Sequence, residues 1–138
     1  MPVNEHVLTV VRGWIDKAES DLKIAVIALE AGQNCPTDAV AFHAQQCAEK
    51  YLKALLVLDS IDFPKIHDIG ELAALLPHGV AIGISVEKQR RLTSYATVTR
   101  YPGDYEPISL TEAHEAVEIA EGIRAQTRSL LPKEALVP

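Results

Sequence analysis

Between residues 41 and 58 the chain reads AFHAQQCAEKYLKALLVL, with no proline, no glycine and no β-branched residue before Val57. That composition predicts an uninterrupted helix. Ala41, Ala44, Ala48, Tyr51, Leu52, Leu55 and Leu58 recur at steps of three and four and make one broad apolar face. Gln46, Glu49, Lys50 and Lys53 fall on another side. A helix this apolar has to be covered by neighbours, so it is expected to be the central rod of a bundle.

The same periodicity places four more helices, with proline near most of the boundaries. A first helix is predicted over residues 5–31, with Val7, Val11, Trp14, Ala18, Leu22, Ala25 and Leu29 along one face, widened by Val10, Ile15 and Val26. Gly32 suits a left-handed cap, and Thr37 or Asp38 can cap the central helix. So short a link between two long helices makes them pack antiparallel. A shorter third helix is predicted over residues 65–76, with Ile66, Ile69, Leu72, Ala73 and Leu76 inward. A fourth runs from Ser85 to about Thr99. Ser109 and Glu112 match a capping box that opens a fifth, to about Leu131, with Leu110, Ala113, Val117, Ala120, Ile123, Thr127 and Leu130 inward. Pro132 should stop it and leave the last six residues loose. The expected fold class is all-α: an up-and-down helical bundle of four main helices plus one shorter helix, one domain over residues 1–138 with its core at about 5–131.

Composition agrees with that architecture. Of 138 residues, 48% are hydrophobic and only 5% aromatic, which suits a helical bundle better than a β-sandwich. The N-terminus has no clean hydrophobic run and no segment reaches the roughly 20 apolar residues of a membrane span. Cys35 and Cys47 have no ligand or CxxC spacing. The expectation is a soluble cytoplasmic protein.

Charge changes the picture at one place. The net charge is −6, which argues against indiscriminate nucleic-acid binding. Yet Lys88, Arg90, Arg91 and Arg100, opposed only by Glu87, give the fourth helix region +3 and leave −9 for the rest. A basic, thinly apolar helix in an acidic chain marks a candidate surface for an anionic ligand. The loop after it, RYPGDYEP at residues 100–107, adds Arg100, Tyr101, Asp104 and Tyr105. Guanidinium suits phosphate, and a phenol ring suits the face of a base. The plainer alternative is an Arg100–Asp104 pair anchoring the loop, with the tyrosines packing the bundle end.

Other candidates read more simply. His43 and Cys47 lie four apart on the central helix, but no third ligand has a matching spacing, so no metal is expected. Asp21 reads as an acid paired with a Lys or Arg of a neighbouring helix. His67 and Asp68 read as capping residues of the third helix. Glu49 and Lys53 read as an i, i+4 pair on a solvated face, worth about 0.3 kcal/mol. No phosphate-binding glycine loop and no nucleophile elbow occurs.

Four blocks in order resemble a known family: Trp14, Ala18, Asp21-Leu22 and Ile24-Ala25; then FHAQQCAEKYLKALL; then Pro64 with IHDIGEL; then RYP before an Ala-rich last helix. Together they resemble the HEPN domain (higher eukaryotes and prokaryotes nucleotide-binding), with QQCAEKYLKAL the most specific part. The resemblance implies an all-α bundle, usually a homodimer, found beside a minimal nucleotidyltransferase, in pairs that often behave as toxin and antitoxin. Ribonuclease members carry an Arg followed four to six residues later by His. Here no histidine falls in that window after Arg90, Arg91 or Arg100. Metal-free RNA cleavage needs an acid and a base near neutrality, which histidine supplies and an ordinary tyrosine does not. The expectation is therefore a nucleotide- or RNA-binding module with weak or absent nuclease activity and no cofactor. The alternatives are a metal-independent endoribonuclease toxin and a purely structural subunit. Arg100 and Tyr101 are the first ligand-binding candidates, followed by Arg90, Arg91, Tyr105 and Lys50; no catalytic residue is assigned.

Overall fold

The computed structural model describes residues 3–77, 82–96 and 107–136. They form five α-helices: α1 (Glu5–Leu29), α2 (Thr37–Leu58), α3 (Ile69–Ala74), α4 (Val86–Ser94) and α5 (Leu110–Leu130). Among the described residues there is no strand. Side-chain pairings fix the directions. Trp14 meets Lys53 and Asp21 meets His43 and Lys50, so α1 and α2 run antiparallel. Arg91 pairs with Glu115 and Tyr95 with Glu112, so α4 and α5 are antiparallel too. Glu19 pairs with Arg124, and Arg12 reaches Glu134 just past α5, so α5 runs antiparallel to α1 and the bundle goes up and down through α1, α2, α4 and α5, with α3 as the short extra helix.

The apolar face of α2 behaves as its spacing predicts. Ala41, Ala44, Ala48, Tyr51, Leu52 and Leu55 are buried and meet Val11, Ala18 and Ala25 of α1 and Ala113, Ala120 and Ile123 of α5 in one core cluster. The α1 stripe is displaced, however. Leu8 and Ile15 are buried, whereas Val10 and Val26 stay 37% and 39% exposed. The side expected to widen the stripe through Val10 and Val26 instead faces outward, because α2 and α5 cover α1 from the Leu8–Ile15 side. On α5, Leu130 is exposed, and Leu131, one residue past the helix, takes the inward position.

Helix ends show where local chemistry sufficed. Ser85 and Ser109 cap α4 and α5 by accepting the backbone N–H of Lys88 and Glu112. The Glu112 carboxylate accepts the Tyr95 hydroxyl instead of reaching back to complete the capping box. At α2 the expected Thr37 or Asp38 cap does not form. Pro36 occupies the cap position and contributes no side-chain bond, while its carbonyl accepts from Val40. Gly32 does adopt φ +61°, in a short 3-10 turn after α1. The residues after Pro132 are not loose: Lys133–Ala135 form a 3-10 turn, Ala135 is buried, and Arg12 of α1 donates to the Glu134 carbonyl.

The end of α2 carries an avoidable cost. Ile61 N–H bonds to the Leu56 carbonyl and Ser60 N–H to that of Val57, the pairing that closes a helix when its C′ residue is left-handed. Ser60 fills that position at φ 56°. A residue with a Cβ is strained there by roughly 1–2 kcal/mol, and glycine's extra chain entropy cancels about half of that gain. Ser60→Gly should raise stability by about 0.5–1 kcal/mol, read as a higher urea midpoint with unchanged slope. A lower midpoint would contradict this account.

Candidate functional site

The basic residues of the sequence point to the α4 side. Arg91 is engaged: its guanidinium donates to Glu115 at 2.8 Å and to Glu87 at 3.2 Å, so it ties α4 to α5. Arg90 is exposed and has no hydrogen bond or ion pair among the described residues. With Gln89, Thr93 and Ser94 it forms one wall of an open groove of about 450 Å³, whose other wall is Asp68, Gly70, Glu71 and Ala74 of the α3 segment. Ile69 N–H donates to the Thr93 hydroxyl and seats that segment on α4. Arg100, Tyr101 and Tyr105 lie outside the described residues. Lys50 does not line this groove; its ammonium is bound to Asp21 on α1.

The polar side of α2 is where the structure departs most from expectation. Glu49 and Lys53 are not on a solvated face: they are 3% and 7% exposed, covered by α1 and the segment leading into α3. The Glu49 carboxylate accepts three side-chain bonds, from Lys53 Nζ at 2.8 Å, Gln45 Nε2 at 3.0 Å and His67 Nδ1 at 2.8 Å. Burial alone would raise its pKa, but the bonds from Lys53, Gln45 and His67 bring it below the usual carboxylate range. The Lys53 ammonium lies 5.5 Å from the Trp14 ring centroid and 5.6 Å from that of Phe63, a cation held by ring faces as well as by its counter-ion. Gln45 Nε2 also donates to the His67 carbonyl, and Gln46 fixes Gln45 in turn.

Two further polar groups sit along the α1–α2 seam. Asp21, 7% exposed, accepts from Lys50 Nζ with one oxygen and lies 2.8 Å from His43 Nδ1 with the other, the neighbouring-helix partner expected for it. Glu19 accepts from the Tyr51 hydroxyl and from Arg124 and Arg128 of α5. Burial raises Glu19, and those partners outweigh it to leave the carboxyl lowered, while burial and the Glu19 bond push Tyr51 up to about 12. Cys47, fully buried one turn from His43, has its thiol pushed up to about 12 by burial and by the charges of Glu19 and Asp21. It is a core residue, not a nucleophile or thiolate ligand. Among the described residues no cluster of three or more His, Cys, Asp or Glu has metal-binding geometry, and no helix is long and apolar enough to cross a membrane.

The HEPN domain model matches residues 11–130, nearly the whole of the helical bundle. The chain belongs to the HEPN family. A protein named "Putative toxin MJ1304" from Methanocaldococcus jannaschii is 27% identical over 137 residues, covering 88% of each chain. Among solved structures, TT1696 from Thermus thermophilus aligns with a TM-score of 0.75 and 30% identity, over 88% of this chain and 98% of that one. ST0689, described as an archaeal HEPN homologue, aligns with a TM-score of 0.63 and 25% identity, over 87% and 96%.

Within this HEPN domain Glu49 and Lys53, expected on a solvated face, and His67, expected as a cap, join Gln45 in one hydrogen-bonded cluster. A signal for them existed. Gln45, Glu49, Leu52 and Leu56 are spaced four, three and four apart, so Glu49 shares a face with two core leucines. The capping assignment was half right: Asp68 caps α3 by accepting Glu71 N–H, whereas His67 turns to Glu49.

Proposed function

We propose that this HEPN domain binds a nucleotide or RNA through phosphate contacts on α4 and on residues 100–107, as a homodimeric partner of a minimal nucleotidyltransferase in a toxin–antitoxin-type pair. Nuclease activity is weak or absent in this reading, because no Arg is followed at four to six residues by His. Family membership and the toxin name borne by the archaeal relative support the class. The observation that carries the surface is Arg90: an exposed guanidinium, uncommitted among the described residues, on the wall of a groove large enough for a nucleotide moiety. Arg91 then has a supporting role, since its charge is already taken up by Glu87 and Glu115.

Fluorescence anisotropy with a labelled single-stranded RNA tests this. Arg90→Ala and Arg100→Ala should each weaken binding by about five- to tenfold and reduce the salt dependence by about one phosphate contact. Arg91→Ala should cost stability more than affinity. Isotherms that do not change for either Arg90→Ala or Arg100→Ala would remove this surface from the binding site.

A further inference from the structure

We propose that the outward face of α1 is where two copies of this chain meet: α1 of one copy packs antiparallel on α1 of the other, with Val10 of each against Ile27 of its partner. The inference rests on the homodimer in the reading above and names the surface that forms it.

Val10, Gly13, Lys17, Ser20, Ile24 and Ile27 follow one another at alternating steps of three and four, which places them in a single seam along the helix. The bundle core takes up the opposite stripe of α1, from Leu8, Val11 and Ile15 to Ala18, Leu22 and Ala25. All six seam residues are exposed. Ile24 and Ile27 are 46% and 57% exposed, and among the described residues α1 carries four of the seven large apolar side chains left uncovered. Gathered on one helix, they mark a contact surface, whereas single apolar side chains scattered over a surface would not. Gly13 points the same way. A glycine inside a helix weakens it relative to alanine, yet a Cβ built at Gly13 would meet nothing within 4 Å inside this chain. The space serves a neighbour from outside. Gly122 of α5 is equally open, but no large exposed apolar side chain lies within a turn of it.

The residues on and beside the seam set its direction and register. An antiparallel pair with its two-fold axis between Lys17 and Ser20 places Val10 opposite Ile27, Gly13 opposite Ile24 and Lys17 opposite Ser20. In two of these three layers a large side chain meets a small one. The same register brings Asp16 of each copy opposite Lys23 of the other, in the row flanking the seam. Both are exposed and have no partner among the described residues. Parallel pairing would set Lys17 against Lys17 and leave a gap between two glycines. An open, mostly apolar hollow of about 420 Å³ beside Ser20, Lys23, Val26 and Ile27 lies where Val10 of the second copy arrives. None of the residues lining the α3–α4 groove is on α1, so that groove is not part of this surface.

The test is the mass of the full chain in solution, measured by sedimentation equilibrium across the micromolar range. Wild type should dimerise. Asp16→Lys and Lys23→Asp should each raise the dissociation constant at least about tenfold, because each sets like charges opposite one another. The double variant Asp16→Lys/Lys23→Asp should recover most of that loss. Ile24→Glu should give a monomer with an unchanged helical circular dichroism spectrum. If wild type and all four variants dimerise equally well, the contact lies elsewhere, so this inference falls and the homodimer reading stands. If the single charge variants weaken the dimer and the double variant does not recover it, the antiparallel pairing is overturned. A wild type that stays monomeric at the highest concentration overturns both this inference and the homodimer.

Discussion

Glu49→Leu should destabilise the domain by about 3–5 kcal/mol, because it leaves the Lys53 ammonium buried without its counter-ion. Lys53 is 7% exposed and sits between Trp14 and Phe63, so it has little freedom to reach water. Gln45, fully buried, loses an acceptor at the same time. The double variant Glu49→Leu/Lys53→Met removes both charges and should recover most of the loss, since an apolar pair of similar volume is often as stable as a buried ion pair. Urea unfolding of wild type and both variants checks this. A double variant as unstable as the single one would show that the loss comes from packing, not from an orphaned charge.

The same carboxylate makes stability depend on pH in a defined direction. Its folded pKa is depressed below the unfolded value of about 4.3. Its contribution is therefore fully present above that value and is lost as pH falls through the folded pKa. Glu19, also lowered, acts in the same sense. Wild type should weaken from about pH 5 downward, and Glu49→Gln should show a shallower acid slope. Identical slopes would mean that folding leaves the Glu49 pKa where it is in the unfolded chain.

Leu52→Ala is the second large effect, expected at about 2–5 kcal/mol and lowering the melting temperature by roughly 10 °C or more. Leu52 is fully buried on the α2 face turned to the core, where surrounding side chains cannot collapse into the space left behind. Leu130→Ala, on the exposed end of α5 at 43% exposure, is the matched control and should cost far less. Equal losses in the two would mean that the assignment of inward and outward faces is wrong.

Arg90 is exposed and uncommitted among the described residues, so replacing it should change affinity with little effect on unfolding. Glu49 and Leu52 are buried, and their replacement acts first on the fold. The Glu49 carboxylate stabilises α2 against α1 through Lys53 and orients the His67 ring at the surface.

Helix number, helix order and the apolar face of α2 were legible in the sequence because they depend on spacing of three and four residues, which backbone geometry imposes locally. So were the Ser85 and Ser109 caps, each a bond within one turn. The α1 stripe was legible only in part, because Val10 and Leu8 are equally apolar and the choice between them was made by where α2 and α5 lie. The fate of Glu49 and Lys53 was not legible as read, since an i, i+4 pair looks the same from within its own helix whether water or protein covers it. Only the tertiary structure brought His67 from the segment before α3, together with Trp14 and Phe63, over that pair. By itself the sequence determined a HEPN-type helical bundle and a basic fourth helix. Packing decided which charges are buried, and burial separates a surface ion pair worth a few tenths of a kcal/mol from one whose disruption costs several.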